Sequence, residues 1–225
     1  MTYADLAKMI DHSLLQPVLT DAELEAGLTL ARDYNVASVC IKPYAVPLAV
    51  RALAGSSVVV GTVIGFPHGG HLTKIKVAET DAAIDDGAVE LDMVVNIGKV
   101  LSQQYGYVAD DIAAVVETAH RRGAKVKVIF ENCYLQAEHK IELCRICGEV
   151  RADWVKTSTG YGDSGATDED LILMRKHSPA QVQVKAAGGV RTYERLLAVR
   201  QLGVTRVGAT ATKAILDEAR TRLLA

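Results

Sequence analysis

Trp154-Val155-Lys156-Thr157-Ser158-Thr159-Gly160 decides how this chain is read. A short run of β-formers leads into a lysine and then a glycine-ended turn. Lys156 is therefore expected at the carboxyl end of a strand, beside a loop able to hold an anion. An inward lysine there loses hydration, its ammonium form is disfavoured, and a free amine becomes available as a nucleophile for Schiff-base chemistry on a carbonyl. A helix follows over Asp168 to His177, opened by Thr167 as a capping residue with Asp170 in its first turn. A second strand, Gln181 to Lys185, then ends in another lysine before Ala186-Ala187-Gly188-Gly189-Val190-Arg191.

The same alternation extends along the chain. Strands are expected at Ser38 to Ile41, Val58 to Ile64, Val89 to Val95, Val126 to Phe130, Trp154 to Lys156, Gln181 to Lys185 and Thr205 to Val207, with a weak one near Met9 to Asp11. Helical patterns fill the gaps: Asp21 to Tyr34, Leu72 to Asp86, Val108 to Arg122, Glu138 to Glu149, Asp168 to His177, Arg195 to Leu202 and Ala214 to Leu224. Gly87, Gly123 and Gly203 punctuate three of their ends. Eight strands alternating with helices imply parallel pairing through right-handed crossovers. A single (β/α)8 TIM barrel spanning residues 1–225 fits best, and a doubly wound open sheet shares the same alternation.

Bulk composition narrows the function. The chain has 225 residues, 49% hydrophobic and 23% charged, with a formal net charge of −2, so it lacks the basic excess of a nucleic-acid or membrane-surface binder. A small-molecule partner is expected. Met1-Thr2-Tyr3-Ala4-Asp5-Leu6 has neither a basic n-region nor a long apolar h-region, and no segment offers the roughly 18 apolar residues of a membrane span, which points to the cytoplasm. Cys40, Cys133, Cys144 and Cys147 are too few for a secreted disulfide framework.

Within the strands, polar residues recur at every second position: Glu90 and Asp92, Lys125 and Lys127, Gln181, Gln183 and Lys185. Residues two apart share a face. An antiparallel sheet with one wet face reads the same way, but the intervening helices need a sheet face to cover. The polar set then points into the barrel, where Asp92, Lys127, Lys156 and Lys185 converge. Two lysines on neighbouring parallel strands, about 5 Å apart, would repel as cations, so one titrates low and the other can donate a proton.

Other motifs carry less. Gly160, Gly188, Gly189 and Gly208 each follow a strand and suit backbone binding of phosphate, or simply tight turns. Gly160-Tyr161-Gly162-Asp163-Ser164-Gly165 matches the dinucleotide fingerprint in form, yet the next strand ends in Lys185 rather than an acid for the ribose. His68-Gly69-Gly70-His71 and Cys144-Arg145-Ile146-Cys147 have metal-like spacing without enough ligands, and the cysteine pair reads as buried packing. Ser158 and Ser164 lack a hydrolase nucleophile-elbow context.

At these residues the chain resembles the deoxyribose-phosphate aldolase family, nearly end to end. The resemblance runs through Ile10-Asp11-His12-Ser13-Leu14-Leu15, Val39-Cys40-Ile41, Gly65-Phe66-Pro67, Glu90-Leu91-Asp92-Met93-Val94, Val155-Lys156-Thr157-Ser158-Thr159-Gly160, Val184-Lys185-Ala186-Ala187-Gly188-Gly189-Val190-Arg191 and Arg206-Val207-Gly208-Ala209-Thr210. It implies a class I aldolase barrel that reversibly cleaves 2-deoxy-D-ribose 5-phosphate to D-glyceraldehyde 3-phosphate and acetaldehyde, with no metal and no organic cofactor, and a homodimer. It assigns Lys156 as Schiff-base nucleophile, Lys185 as the lysine that perturbs it and moves protons, and Asp92 as the proton-transfer carboxylate. Gly160, Gly188, Gly189, Gly208, Thr157, Asp11 and Cys40 are implied around the substrate and its phosphate. Two departures bear on the phosphate: Tyr161 stands where some members have lysine, and Thr210-Ala211 replaces a frequent hydroxyl pair. The final Arg222-Leu223-Leu224-Ala225 offers no tyrosine to extend over the site. A catalytically silent barrel that binds a sugar phosphate is the alternative; a cofactor-free isomerase would need a carboxylate base instead.

Overall fold

Eight short strands pair in sequence order into a closed parallel barrel in the computed structural model, which describes residues 1–224. They are β1 (Ile10–Leu14), β2 (Ser38–Ile41), β3 (Val59–Ile64), β4 (Glu90–Val94), β5 (Lys125–Ile129), β6 (Trp154–Lys156), β7 (Gln183–Ala187) and β8 (Val204–Ala209). Around them run α1 (Tyr3–Ala7), α2 (Asp21–Asp33), α3 (Val46–Ala52), α4 (Thr73–Asp85), α5 (Ile97–Leu101), α6 (Tyr105–Arg121), α7 (Ala137–Glu149), α8 (Asp168–His177), α9 (Tyr193–Gln201) and α10 (Thr212–Leu224). The pairing of β1 with β8, Asp11 opposite Gly208, closes the ring and removes the open-sheet alternative. Of the C-terminal stretch expected to offer no tyrosine over the site, Ala225 lies outside the described residues.

The structure departs from the sequence expectation in two ways. Helices α1, α3 and α5 fall outside the expected helical stretches: two have only five residues, and α3 carries Pro47 in its first turn, where proline is tolerated because that N–H has no helical partner anyway. The expected strand Gln181 to Lys185 instead runs over Gln183–Ala187, since Val182 N–H closes a turn on the Pro179 carbonyl and the small Ala186 and Ala187 continue the ladder. Lys185 is thus the middle residue of β7 and Lys156 the last of β6, although the two face each other in register.

Alternation divides the sheet into an apolar outside and a polar inside. Leu91 and Met93 on β4, Val126 and Val128 on β5, Val155, Val184, Ala186 and Val207 are buried against Leu24, Leu28, Ile112, Val115, Leu143 and Leu196 of the surrounding helices. Each fully buried aliphatic side chain is worth roughly 1.5–3 kcal/mol, so the layer between barrel and helices supplies the stability. Cys144 and Cys147 belong to this layer as free, buried thiols on α7.

One ion pair is built into that layer. Lys76 of α4, without exposed surface, donates to Asp111 Oδ2 of α6 at 2.6 Å and to the Val94 carbonyl at 2.9 Å, while Thr73 Oγ1 donates to Asp111 Oδ1. Removing one partner of such a pair strands a buried charge. Asp111→Ala is expected to lower unfolding free energy by about 3–5 kcal/mol in denaturant titration, without changing the turnover of the folded fraction.

Candidate active site

The inward positions of the barrel bring seven charged side chains together. Asp92 on β4 is the hub. Its Oδ2 accepts from Lys156 Nζ and from Lys185 Nζ, each at 2.7 Å, and its Oδ1 accepts from Lys127 Nζ at 2.9 Å. Lys127 also reaches Glu90 at 2.6 Å, and Lys185 reaches Asp11 Oδ2 at 2.5 Å. Arg206 on β8 grips Asp11 and Glu90 from the other side. All three lysines are at most 3% exposed, and Asp92 is not exposed at all. The convergence of Asp92, Lys127, Lys156 and Lys185 read from the alternation is present; Lys125, at the open start of β5, faces solvent.

These contacts sort the lysines electrostatically. For Lys156 burial is the largest influence and holds the amine below the ordinary lysine range; Asp92 opposes this, and the nearby Lys185 charge adds to the lowering. For Lys185 burial also acts downward, but Asp11 and Asp92 outweigh it and the group is raised. Lys127 is raised in the same way by Asp92, Asp11 and Glu90. Against its own burial, Asp92 is held well below the carboxylate range by Lys127, Lys156 and Lys185. One amine is therefore poised to lose its proton while its neighbours keep theirs. The sequence reading named both lost hydration and the neighbouring lysine; desolvation is the larger cause, and the neighbour the smaller.

A cavity of about 350 Å³ opens at the carboxyl ends of the strands and reaches Lys156 and Lys185. Gly160, Gly188, Gly189 and Gly208 line it, as do Tyr161, Arg191 and Thr210. Gly188 and Gly189 have φ of +80° and +86°, and a Cβ on Gly165 would stand 2.5 Å from the Gly188 backbone, so this wall is made of closely apposed main chain with amides free to face an anion. The loop after β8 runs into α10, whose Thr212 Oγ1 lies 2.8 Å from Nδ1 of buried His12; burial pushes that imidazole down to about 4, so it stays neutral.

Of three further expected substrate contacts, Asp11 and Cys40 border the cavity and Thr157 does not. Thr157 follows the inward Lys156 and so turns away from the cavity; fully buried, its Oγ1 donates to the Ala187 carbonyl and accepts from the Ala187 N–H. Asp11 borders the cavity floor, but its oxygens are engaged by Lys185 and Arg206, and a carboxylate repels a phosphate. Cys40 lines the cavity with Sγ 3.9 Å from Asp92 Oδ2, and burial, reinforced by Asp92, pushes its thiol up to about 11.

The sequence reading missed Glu131, Arg206 as a charge partner, and the bridging contacts of Tyr161. Glu131, left-handed at φ 57° just after β5, accepts hydrogen bonds from the Thr159 N–H and hydroxyl; Thr159 Oγ1 in turn accepts the Tyr161 N–H. Tyr161 OH donates to the Leu15 carbonyl, and its ring meets Phe66 edge-on at 5.5 Å. Loops after β1, β3, β5 and β6 are thus wired together around the cavity mouth. A lone glutamate after an apolar strand offers no periodic signal.

The comparisons agree with this geometry. Residues 6–211 match the family described as DeoC/LacD family aldolase. The chain is 59% identical over 221 residues to the deoxyribose-phosphate aldolase of Rhodopirellula baltica, covering 98% of this chain and 92% of that one. It is 47% identical over 222 residues to the deoxyribose-phosphate aldolase of Thermococcus gammatolerans, covering 98% and 99%. Among solved structures, a tetrameric deoxyribose phosphate aldolase from Aeropyrum pernix matches with a TM-score of 0.88 at 27% identity, over 98% of this chain and 93% of that one.

The Glu131 clamp is open to test. Glu131→Ala removes the acceptor for two buried donors of Thr159, a loss of about 1–3 kcal/mol. Faster hydrogen exchange at the Thr159 and Tyr161 amides is expected, with weakened binding of a phosphorylated ligand.

Proposed function

The chain belongs to the DeoC/LacD family of aldolases, and from that premise we propose that it reversibly cleaves 2-deoxy-D-ribose 5-phosphate to D-glyceraldehyde 3-phosphate and acetaldehyde through a Schiff base on Lys156. The observation that carries the covalent step is the single Asp92 oxygen shared by a lowered lysine and a raised one.

In this mechanism the neutral Lys156 Nζ attacks C1 of the open-chain sugar. The carbinolamine loses water, with a proton supplied by the Lys185 ammonium, and leaves an iminium. Lys185, now a free amine, takes the proton of the C3 hydroxyl and later returns it to C2; the C2–C3 bond breaks, and its electron pair is held as an enamine while C3 departs as the carbonyl carbon of glyceraldehyde 3-phosphate. Protonation at C2 and hydrolysis of the iminium release acetaldehyde and restore the amine. Asp92, ionised in the resting protein, orients both nitrogens, offsets the iminium charge and serves proton transfer between substrate and Lys185 through water. The amides around Gly188, Gly189 and Gly208 hold the 5-phosphate and so align the C2–C3 bond with the iminium.

The same reading extends to the whole chain acting as one aldolase domain without metal or organic cofactor, as a homodimer, in deoxynucleoside catabolism in the cytoplasm. No helix among the described residues is long and apolar enough to cross a membrane, which is compatible with that location. A non-catalytic sugar-phosphate-binding barrel has less support, because a binder gains nothing from lowering one amine below its neighbours.

Retro-aldol turnover of deoxyribose 5-phosphate with a chelator present decides between the two. Wild type is expected to keep full activity, Lys156→Leu to lose at least about a thousandfold, and borohydride reduction in the presence of substrate to add mass to the Lys156 peptide. Phosphate-ligand stabilisation without turnover would instead support the silent binder.

A further inference from the structure

We infer that Arg206, working with Glu90, is a positioning residue for the covalent step: its fixed guanidinium supplies the surplus positive charge that, added to burial, makes Lys156 the easiest of the three lysines inside the barrel to deprotonate. This rests on the Schiff-base reading of Lys156 above. Arg206 contacts neither Lys156 nor the cavity. Its Nε donates to Asp11 Oδ1 at 2.7 Å, Nη1 and Nη2 donate to the two oxygens of Glu90 at 3.0 and 2.7 Å, and Nη2 donates to Ser38 Oγ at 3.1 Å. The guanidinium lies 5.4 Å from the ring centre of Trp154, which floors the barrel. Such a two-pronged, stacked arginine is held in place and does not release a proton.

The argument is one of charge balance. The strands bring inward three carboxylates, Asp11 from β1 and Glu90 and Asp92 from β4, and four cations, Lys127 from β5, Lys156 from β6, Lys185 from β7 and Arg206 from β8. Strand β2 adds only the Cys40 thiol, which stays protonated, and β3 (Val59–Ile64) has no titratable residue. Lys8 and Lys125 approach Arg206 and Trp154 only from the solvent-facing bottom of the barrel.

With every group ionised the interior holds one positive charge without a counter-charge, and a buried unpaired charge is costly. The cation with the fewest partners gives way. Lys127 has carboxylates of Glu90, Asp92 and Asp11 within 3.6 Å, Lys185 has Asp11 and Asp92, and Lys156 has Asp92 alone. Without Arg206 the remaining cations and carboxylates would match, and Lys156 could keep its proton. Without Glu90 the surplus would grow, and Lys156 would discharge more readily.

Carbamylation by cyanate tests this directly, because isocyanic acid is small and uncharged and, at a lysine, reacts only with the unprotonated amine. The extent at Lys156 relative to exposed Lys74 in the same sample, followed by mass spectrometry across pH, reports the proton on Lys156. Arg206→Met is expected to lower the Lys156 to Lys74 ratio at neutral pH on the order of tenfold and to move the midpoint to higher pH. Arg206→Lys keeps the charge and should stay near wild type, while Glu90→Gln should move the midpoint to lower pH. The inference is overturned if Arg206→Met and Glu90→Gln leave the midpoint in place or move it in the same direction. If Arg206→Met does not fold, the Glu90→Gln shift decides alone, downward in support and otherwise against. Borohydride labelling of wild type separates the two claims: no Lys156 adduct with substrate sinks the covalent mechanism, whereas an adduct with unmoved cyanate midpoints sinks only the role of Arg206.

Discussion

One carboxylate, Asp92, holds the side-chain nitrogens of three lysines inside a closed ring of strands, and the rest of the molecule is arranged so that this can happen. A barrel interior has little water, so charges there must find partners within the protein. The partners come from different strands, some adjacent and some across the ring, which fixes the polar residues at alternate positions and sends the apolar ones outward. The hydrophobic core is consequently displaced into the shell between sheet and helices, where the large buried aliphatics lie. Stability and chemistry occupy different layers of one fold.

Buried ion networks are weak contributors to stability, since desolvation consumes most of their Coulomb attraction. Their use here is to make neighbours unequal. Lys156 and Lys185 share an oxygen and a register position, yet Lys185 has the second carboxylate of Asp11 and Lys156 has none. That difference of one partner helps to hold Lys185 above the ordinary lysine range while burial holds Lys156 below it.

Much of this was legible in the sequence because it is periodic. The two-residue alternation around Asp92, Lys127 and Lys185 marks a polar inner face, and helix punctuation marks the crossovers. What was not legible lacks a period. Glu131 is one residue in a left-handed turn, and Arg206 is a single charge in a strand whose pairing with Glu90 bridges 116 positions of sequence. Thr157 carries the family motif but points away from the cavity, a consequence of its step beyond Lys156 that motif matching does not register. The short α1, α3 and α5 offer too few turns for a helical pattern to show. Neither could the sequence rank burial against neighbouring charge as the cause of the Lys156 shift, because that ranking depends on how completely the barrel excludes solvent.

The central claim is that Lys156 is a free amine in the resting protein while Lys127 and Lys185 are ammonium ions. Nitrogen-15 NMR of protein labelled at the lysine side chains tests it without substrate or turnover. At neutral pH the account predicts one Nζ resonance in the free-amine range, absent from Lys156→Leu, with all others in the ammonium range. If every Nζ resonance, Lys156 included, lies in the ammonium range at neutral pH, the account is contradicted.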